Sequence, residues 1–425
     1  MSALSRLPFF AVAGIAGLWV VSVHAQGPHV PTPGADVILG ALEDVTIYAR
    51  KGPIVALSAK TTSCNKGDKV LLWHALPDSR HPVITLNLYR LLDDRMEQIG
   101  QSWVKHGYYA LQADACGFGC QANPSEDGLG VGCSDPYGAG LNKGPNLGSR
   151  RDINPTTGVF DGASVIKDFP PEGPPRADIR HGLQVREADL GQNNARYFVE
   201  GHYIASDDAA EGNAHNNVSY REISSRRNAA GQWSFAYLTD AAVRETPAIF
   251  AWPQADFARV RIAEAKEGDK VIFGQLVIGS KVVPISDTAN LYQYAVYNMN
   301  SNRGVRSFSV PVGSAAVRDI GFSAAQSHGA DPRDSTVLSN DPWAAKLDNG
   351  KVTWTTKQFS EDALANAIRW GTMYSFWFVA DGPPADVTAD VGMFKPGDGG
   401  DAISSGAACA PGATCKVKGP QAATP

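Results

Sequence analysis

His81, His106 and His328 are the side chains of this sequence best suited to hold a transition metal. Two or three imidazoles brought together would suit zinc or copper. No HExxH or H-x-H spacing accompanies them, so a hydrogen-bonded structural role is the preferred use of each. Ser102 and His106 lie four residues apart and share a face in either a helix or a strand. A serine nucleophile needs a base within such reach. Yet Gly100-Gln101-Ser102-Trp103-Val104 lacks the G-x-S-x-G pattern of an exposed nucleophile elbow. Asp207, Asp208, Glu211 and Asn213 form an acidic, glycine-containing stretch just after a predicted strand. Closely spaced hard oxygens suit Ca²⁺, although the spacing is not that of an EF-hand and a solvated turn is preferred. Ca²⁺ and a transition metal are therefore the cofactors the residue types allow. Glu200 and His202 share a strand face with Phe198 and Ile204, which suggests a structural ion pair. Asp135-Pro136-Tyr137 reads first as a turn beside Cys133.

The elements that must position these groups are set by export. Arg6 precedes an apolar run from Leu7 to Val23, and Val23-His24-Ala25 places small residues before Gln26. That is the pattern of a signal peptide over residues 1–25. The run is long for a signal, so an uncleaved anchor is the alternative. No other stretch is long and apolar enough to span a bilayer, so cleavage would leave no transmembrane anchor. Six cysteines in an oxidising compartment imply three disulfides. Cys409 and Cys415 are expected to pair locally. Cys64, Cys116, Cys120 and Cys133 leave three connectivities open, including closure of Cys116-Gly-Phe-Gly-Cys120 on itself.

The pattern is all-β. After a linker over 26–35, residues 36–250 read as a β-rich module with long Cys/Gly/Pro-rich loops. Within it, Val37–Leu39, Val45–Tyr48 and Ile54–Leu57 are predicted as short separate strands. Residues 83–99 are predicted as a hairpin turning at Asp93-Asp94. Residues 251–395 read as an immunoglobulin-like antiparallel β-sandwich, with strands near Leu291–Asn298, Ser307–Val312 and Met373–Val379. Asp348-Asn349-Gly350 signals a tight hairpin there. One or two helical turns are predicted over Ser360–Ala367. Residues 396–425 are expected to be a flexible tail.

Several segments are familiar: His81–Ile84, Glu97–Gly107, Gly132–Tyr137, Arg369–Tyr374 and Phe394–Gly397. Together they resemble a group of exported β-rich bacterial proteins with no activity attached. The resemblance spans about residues 36 to 397 and implies one exported β-rich architecture.

A net charge of −5 and a pI near 6.0 give no electrostatic footprint for nucleic acid. Trp233, Trp252, Trp343, Trp354, Trp370 and Trp377 could stack on carbohydrate if exposed, but aromatics of a sandwich mostly fill its core. The sequence therefore favours an extracellular binding or surface-structural protein, with carbohydrate or another extracellular protein as partner. A metal-dependent extracellular enzyme built on the histidines is the alternative.

Overall fold

A computed structural model describes residues 29–107, 109–144, 146–165, 179, 182–267, 270–327, 329, 331, 333–397, 403–412 and 415. The signal segment expected over 1–25, and His328, lie outside them. Every helix among the described residues has six residues or fewer, so the chain is all-β. None is long and apolar enough to cross a membrane.

Two long strands open the fold. Val37–Lys51 and Ile54–Asn65 pair antiparallel across Gly52, whose φ is +55°. The first was expected as separate short strands. Gly40 and Glu43-Asp44 do not break it; the register slips there, producing bulges that bend one continuous strand. Gly40 is required on packing grounds, since a Cβ would run into the Cys64 and Cys116 sulfurs.

The sheet continues from Ile54–Asn65 through Leu183–Arg186, Arg95–Gln101, Val83–Leu92, Arg196–Ile204, Val218–Arg227 and Trp233–Tyr237. The hairpin over 83–101 forms as expected, with Asp93 and Asp94 both at positive φ. The sheet then curls so that its first strand packs over the far ones. Ser219 Oγ donates to Leu39 O at 2.7 Å, and Arg221 Nη1 to Leu42 O at 2.8 Å. Leu39, Leu42, Leu57, Leu86, Leu88 and Val199 fill the enclosed core. Ser134–Tyr137 is a strand, not the expected turn, and pairs with Thr61–Cys64. Pro136 fits because this short strand lies off the main sheet path, where a missing N–H leaves no central ladder bond unmade.

The second body is a β-sandwich. One sheet runs Asp256–Glu267, Lys270–Pro284, Ala289–Asn298, Thr372–Asp381, Val317–Ala324. The facing sheet runs Ala344–Asp348, Lys351–Thr355, Val305–Pro311, Pro384–Met393, Ile403–Pro411. Alternating aromatics meet between them: Tyr292, Tyr294, Phe308, Trp354, Phe376 and Phe378 are all buried. The Asn349-Gly350 hairpin forms, both residues at positive φ.

Two expectations are corrected here. Ser360–Ala367 is a chain of turns, not a helix. The Asp362 and Glu361 carboxylates accept from Leu364 N at 3.0 Å and Gln358 N at 2.9 Å. Such local bonds compete with helical ones. The expected flexible tail contains a strand, Ile403–Pro411, paired along its length with Pro384–Met393. Its small residues allow close approach, with Gly406 set against Val260 and Ile278.

The two bodies are joined by apolar contact. Tyr89, Leu91, Met96 and Phe198 of the curled sheet pack on Trp252, Val277, Ala295, Tyr297 and Met373 of the sandwich. The described residues from Pro31 onward form one compact unit.

All six cysteines are paired: Cys64–Cys116, Cys120–Cys133 and Cys409–Cys415. The pairing of Cys116 with Cys120 is not used. The Cys120–Cys133 bond closes a loop of sequence separation 13. Its replacement by Ala at both positions is expected to lower unfolding free energy by about 3 kcal/mol, read from urea denaturation.

Candidate functional site

The hairpin partners explain how two of the sequence candidates meet. Val83 pairs with His106, which brings the neighbouring His81 alongside. His81 Nε2 and His106 Nδ1 lie 3.1 Å apart, in a buried pocket where the Phe160 ring packs against both imidazoles. Burial pushes the His81 pKa down to about 4 and holds that of His106 well below the usual histidine range. Both are therefore neutral at pH 7. Depressed folded-state values mean that the pair's contribution to stability is fully present above about pH 6.5 and lost as pH falls through about 4. The change in urea midpoint on going from pH 5 to pH 7 is expected to be more positive in the parent chain than in a His81→Leu/His106→Leu variant.

The Ser102 candidate does not join them. Its Oγ donates to Trp103 O at 2.6 Å and accepts from Leu86 N at 2.8 Å, so backbone groups occupy it. His106 is turned to His81 instead.

The calcium candidates also have other work. Asp207 and Asp208 lie in a short helix, Ser206–Glu211, rather than a loop. Asp207 Oδ2 accepts from Leu72 N at 2.7 Å. Asp208 accepts from Val37 N at 3.0 Å and Asn217 Nδ2 at 2.8 Å. Glu211 pairs with Lys69, and Asn213 donates to Pro33 O and Ala35 O. The four fasten the start of the fold to the helix and do not converge. Among the described residues, one triad has ligand atoms close enough for a metal: Asp256, Cys409 and Cys415, whose sulfurs are bonded to each other. Asn217, the acceptor of an Asn-Val-Ser sequon, is buried.

Glu200 and His202 do not form the expected ion pair. Glu200 is fully buried and accepts from Asn87 Nδ2 at 2.8 Å, Tyr89 Oη at 2.8 Å and Ala248 N at 2.7 Å. His202 lies against Trp370, and burial followed by the Arg150 charge pushes its pKa down to about 3. Asn87 links Glu200 to Arg150, accepting from Arg150 Nη2 at 2.8 Å.

Arg150 stands at the floor of a cleft between the curled sheet and the sandwich. The cleft measures about 1120 Å³ with its open mouth included. Five cationic side chains line it: Arg150, Arg151, Arg303, Arg369 and Lys395. The lining has one carboxylate, Asp331, which Arg151 and Arg333 already hold at 3.0 and 2.6 Å. The rest mixes apolar side chains, Trp103, Ile153, Leu338, Trp370 and Phe394, with polar uncharged ones such as Gln101, Gln184, Asn302, Thr336 and Asn366, and its surface is more apolar than polar. Of the tryptophans singled out in the sequence, Trp252, Trp343, Trp354 and Trp370 are buried, while Trp233 and Trp377 are half-buried. No cation of the cleft stood out in the sequence, because isolated Arg and Lys residues carry no local pattern.

No family model matches this chain, and no curated protein matches it. Among solved structures, one similarity is to the C-terminal domain of the Streptococcus pyogenes antigen I/II-family protein AspA. It is 8% identical, covers 88% of this chain and 99% of that one, and has a TM-score of 0.18. That likeness carries no argument about this chain's activity. The disulfides fit an extracellular protein.

Proposed function

We propose that this chain is an exported binding protein, not an enzyme, and that its ligand sits in the cleft between sheet and sandwich. One observation supports this above the others: an open, mostly apolar cavity carries several cations against one carboxylate that is already paired. Concave apolar sites with a few placed charges are the usual form of a ligand pocket. Export is supported by the oxidised cysteines and the signal pattern before Gln26. The test is a ligand-observed NMR screen of the mature protein against small acids, saccharides and peptides. Hits are expected, and a Thr336→Trp plug in the cleft wall is expected to abolish them. Hits that persist in the plugged variant, or turnover of a hit, would overturn the reading.

One observation favours the metal-dependent enzyme as a second reading. The 3.1 Å approach of His81 Nε2 to His106 Nδ1 suits two ligands of one zinc or copper ion. Against it, no third ligand joins them among the described residues. Metal analysis of the purified protein is expected to find well under one zinc or copper per chain. A stoichiometric metal lost in His106→Ala would move the function to the histidines.

A further inference from the structure

We infer that the cleft recognises an organic carboxylate with an apolar body, such as an aromatic acid; this rests on the cleft being the binding site. Two cations of the cleft have no carboxylate bonded to them among the described residues. Arg369 spends Nη2 on the carbonyls of Ala363 at 2.9 Å and Ala365 at 3.2 Å. Its guanidinium lies 5.1 Å from the Phe394 ring centre. Lys395 Nζ donates to the neutral Asn302 Oδ1 at 2.9 Å. Among the described residues no carboxylate forms a salt bridge with either. Burial lowers the pKa of both, outweighing the attraction of Asp362 for Arg369 and of Glu264 for Lys395. Arg303 closes the same corner, its Nε donating to Lys395 O at 3.1 Å.

Arg369 and Lys395 are half-buried, and a cation partly shielded from water without a counter-charge is held at a cost that a ligand anion relieves. A guanidinium fork fits the two oxygens of a carboxylate or of a phosphate; beside an apolar surface the singly charged, less strongly hydrated carboxylate is favoured. The body of the ligand is read from the walls. Polar side chains such as Gln184, Asn302 and Thr336 interleave with Ile153, Leu338, Ala365, Ala367 and Phe394, but more of the lining surface is apolar than polar. That favours an aromatic or aliphatic acid over an acidic sugar.

The test titrates the mature protein with 2-naphthoate, its neutral methyl ester and trigalacturonate, by calorimetry. Naphthoate is expected to bind at least about tenfold tighter than either of the others, a margin of about 1.4 kcal/mol. Arg369→Gln and Lys395→Met are each expected to weaken naphthoate about tenfold without moving the ester, and their unfolding midpoints show whether they fold. Equal binding of acid and ester, lost in the Thr336→Trp variant, would overturn the carboxylate inference and leave the cleft as the site. Tighter binding of trigalacturonate would overturn the apolar body alone. Naphthoate binding that ignores both charge variants and the plug would overturn the inference and the cleft reading together. If no probe binds, the inference fails, and the wider screen decides the cleft.

Discussion

Arg150→Met is expected to lower the unfolding free energy by about 3–5 kcal/mol, the range for removing one partner of a buried charged network. Four acceptors depend on this guanidinium. Nε donates to Ser102 O at 2.7 Å, Nη1 to Gly371 O at 2.9 Å, and Nη2 to Leu86 O at 3.1 Å and Asn87 Oδ1 at 2.8 Å. Gly371 belongs to the sandwich and the other three to the curled sheet, so one side chain ties the two bodies. Gly371, at positive φ, is needed there because a Cβ would come within 2.9 Å of Arg150 Nη1. Trp370 Nε1 returns a bond to Arg150 O at 2.8 Å. Met fills similar space but takes a donor from Ser102 O and Asn87 Oδ1, while Gly371 O and Leu86 O keep only Asn87 Nδ2 and Ser102 N, and the buried Glu200 loses the nearby positive charge that lowers its pKa. Arg150→Lys is expected to recover less than half of the loss, because an ammonium point charge cannot serve acceptors arranged around a planar fork. Urea denaturation reads the effect as a lower midpoint at unchanged slope. An unfolding free energy within about 1 kcal/mol of the parent would mean that the joint is held without Arg150, by the apolar contact of Tyr89, Met96 and Tyr297 and by the bonds from Met373 N to Gln98 Oε1 and Ser375 Oγ to Met96 O.

What the sequence made legible follows the period of its side chains. Val83–Leu92 and Arg95–Gln101 were readable because strand-forming residues flank two Asp residues that tolerate positive φ. The sandwich was readable because Tyr292, Tyr294, Phe308, Phe376 and Phe378 alternate with residues facing away. Period fails where the constraint is tertiary. Gly40 and Asp44 looked like strand ends, yet a neighbouring disulfide and strand turn them into bulges. Ile403–Pro411 looked like a tail because Gly, Ala and Ser show no alternation, although smallness is what its packing needs. The His81–His106 contact was within reach, since both residues flank the hairpin. The cleft was not. Arg150, Arg303, Arg369 and Lys395 come from four separate stretches, and only packing brings them to one wall. Three of the segments that carry the resemblance, Glu97–Gly107, Arg369–Tyr374 and Phe394–Gly397, supply lining residues, but nothing in their composition says that they meet.

Asp135→Asn is expected to stabilise the protein increasingly as pH rises, by up to about 4 kcal/mol at pH 8 relative to pH 4. Asp135 is buried in the short strand beside Thr61–Cys64. Oδ1 accepts from Leu111 N at 3.0 Å, while Oδ2 has no partner. Burial pushes the carboxyl pKa up to about 7 from an ordinary value of 3.8, against the smaller lowering effect of the Leu111 bond. A raised folded-state pKa gives stability that is fully present below the unfolded value and lost as pH climbs through the folded one. Between about pH 4 and 7 the unfolded chain has released this proton and the folded chain has not, so stability falls with pH. The His81–His106 pair acts in the opposite sense over much of the same window, which flattens the parent profile. The difference between variant and parent cancels that contribution. Asn keeps an oxygen for Leu111 N and never ionises, so its advantage grows from near zero at pH 4 and levels off above about pH 7. Paired urea denaturations across that range measure the difference directly. A difference independent of pH would mean that Asp135 titrates as it does in the unfolded chain, with water reaching Oδ2 through the strand edge.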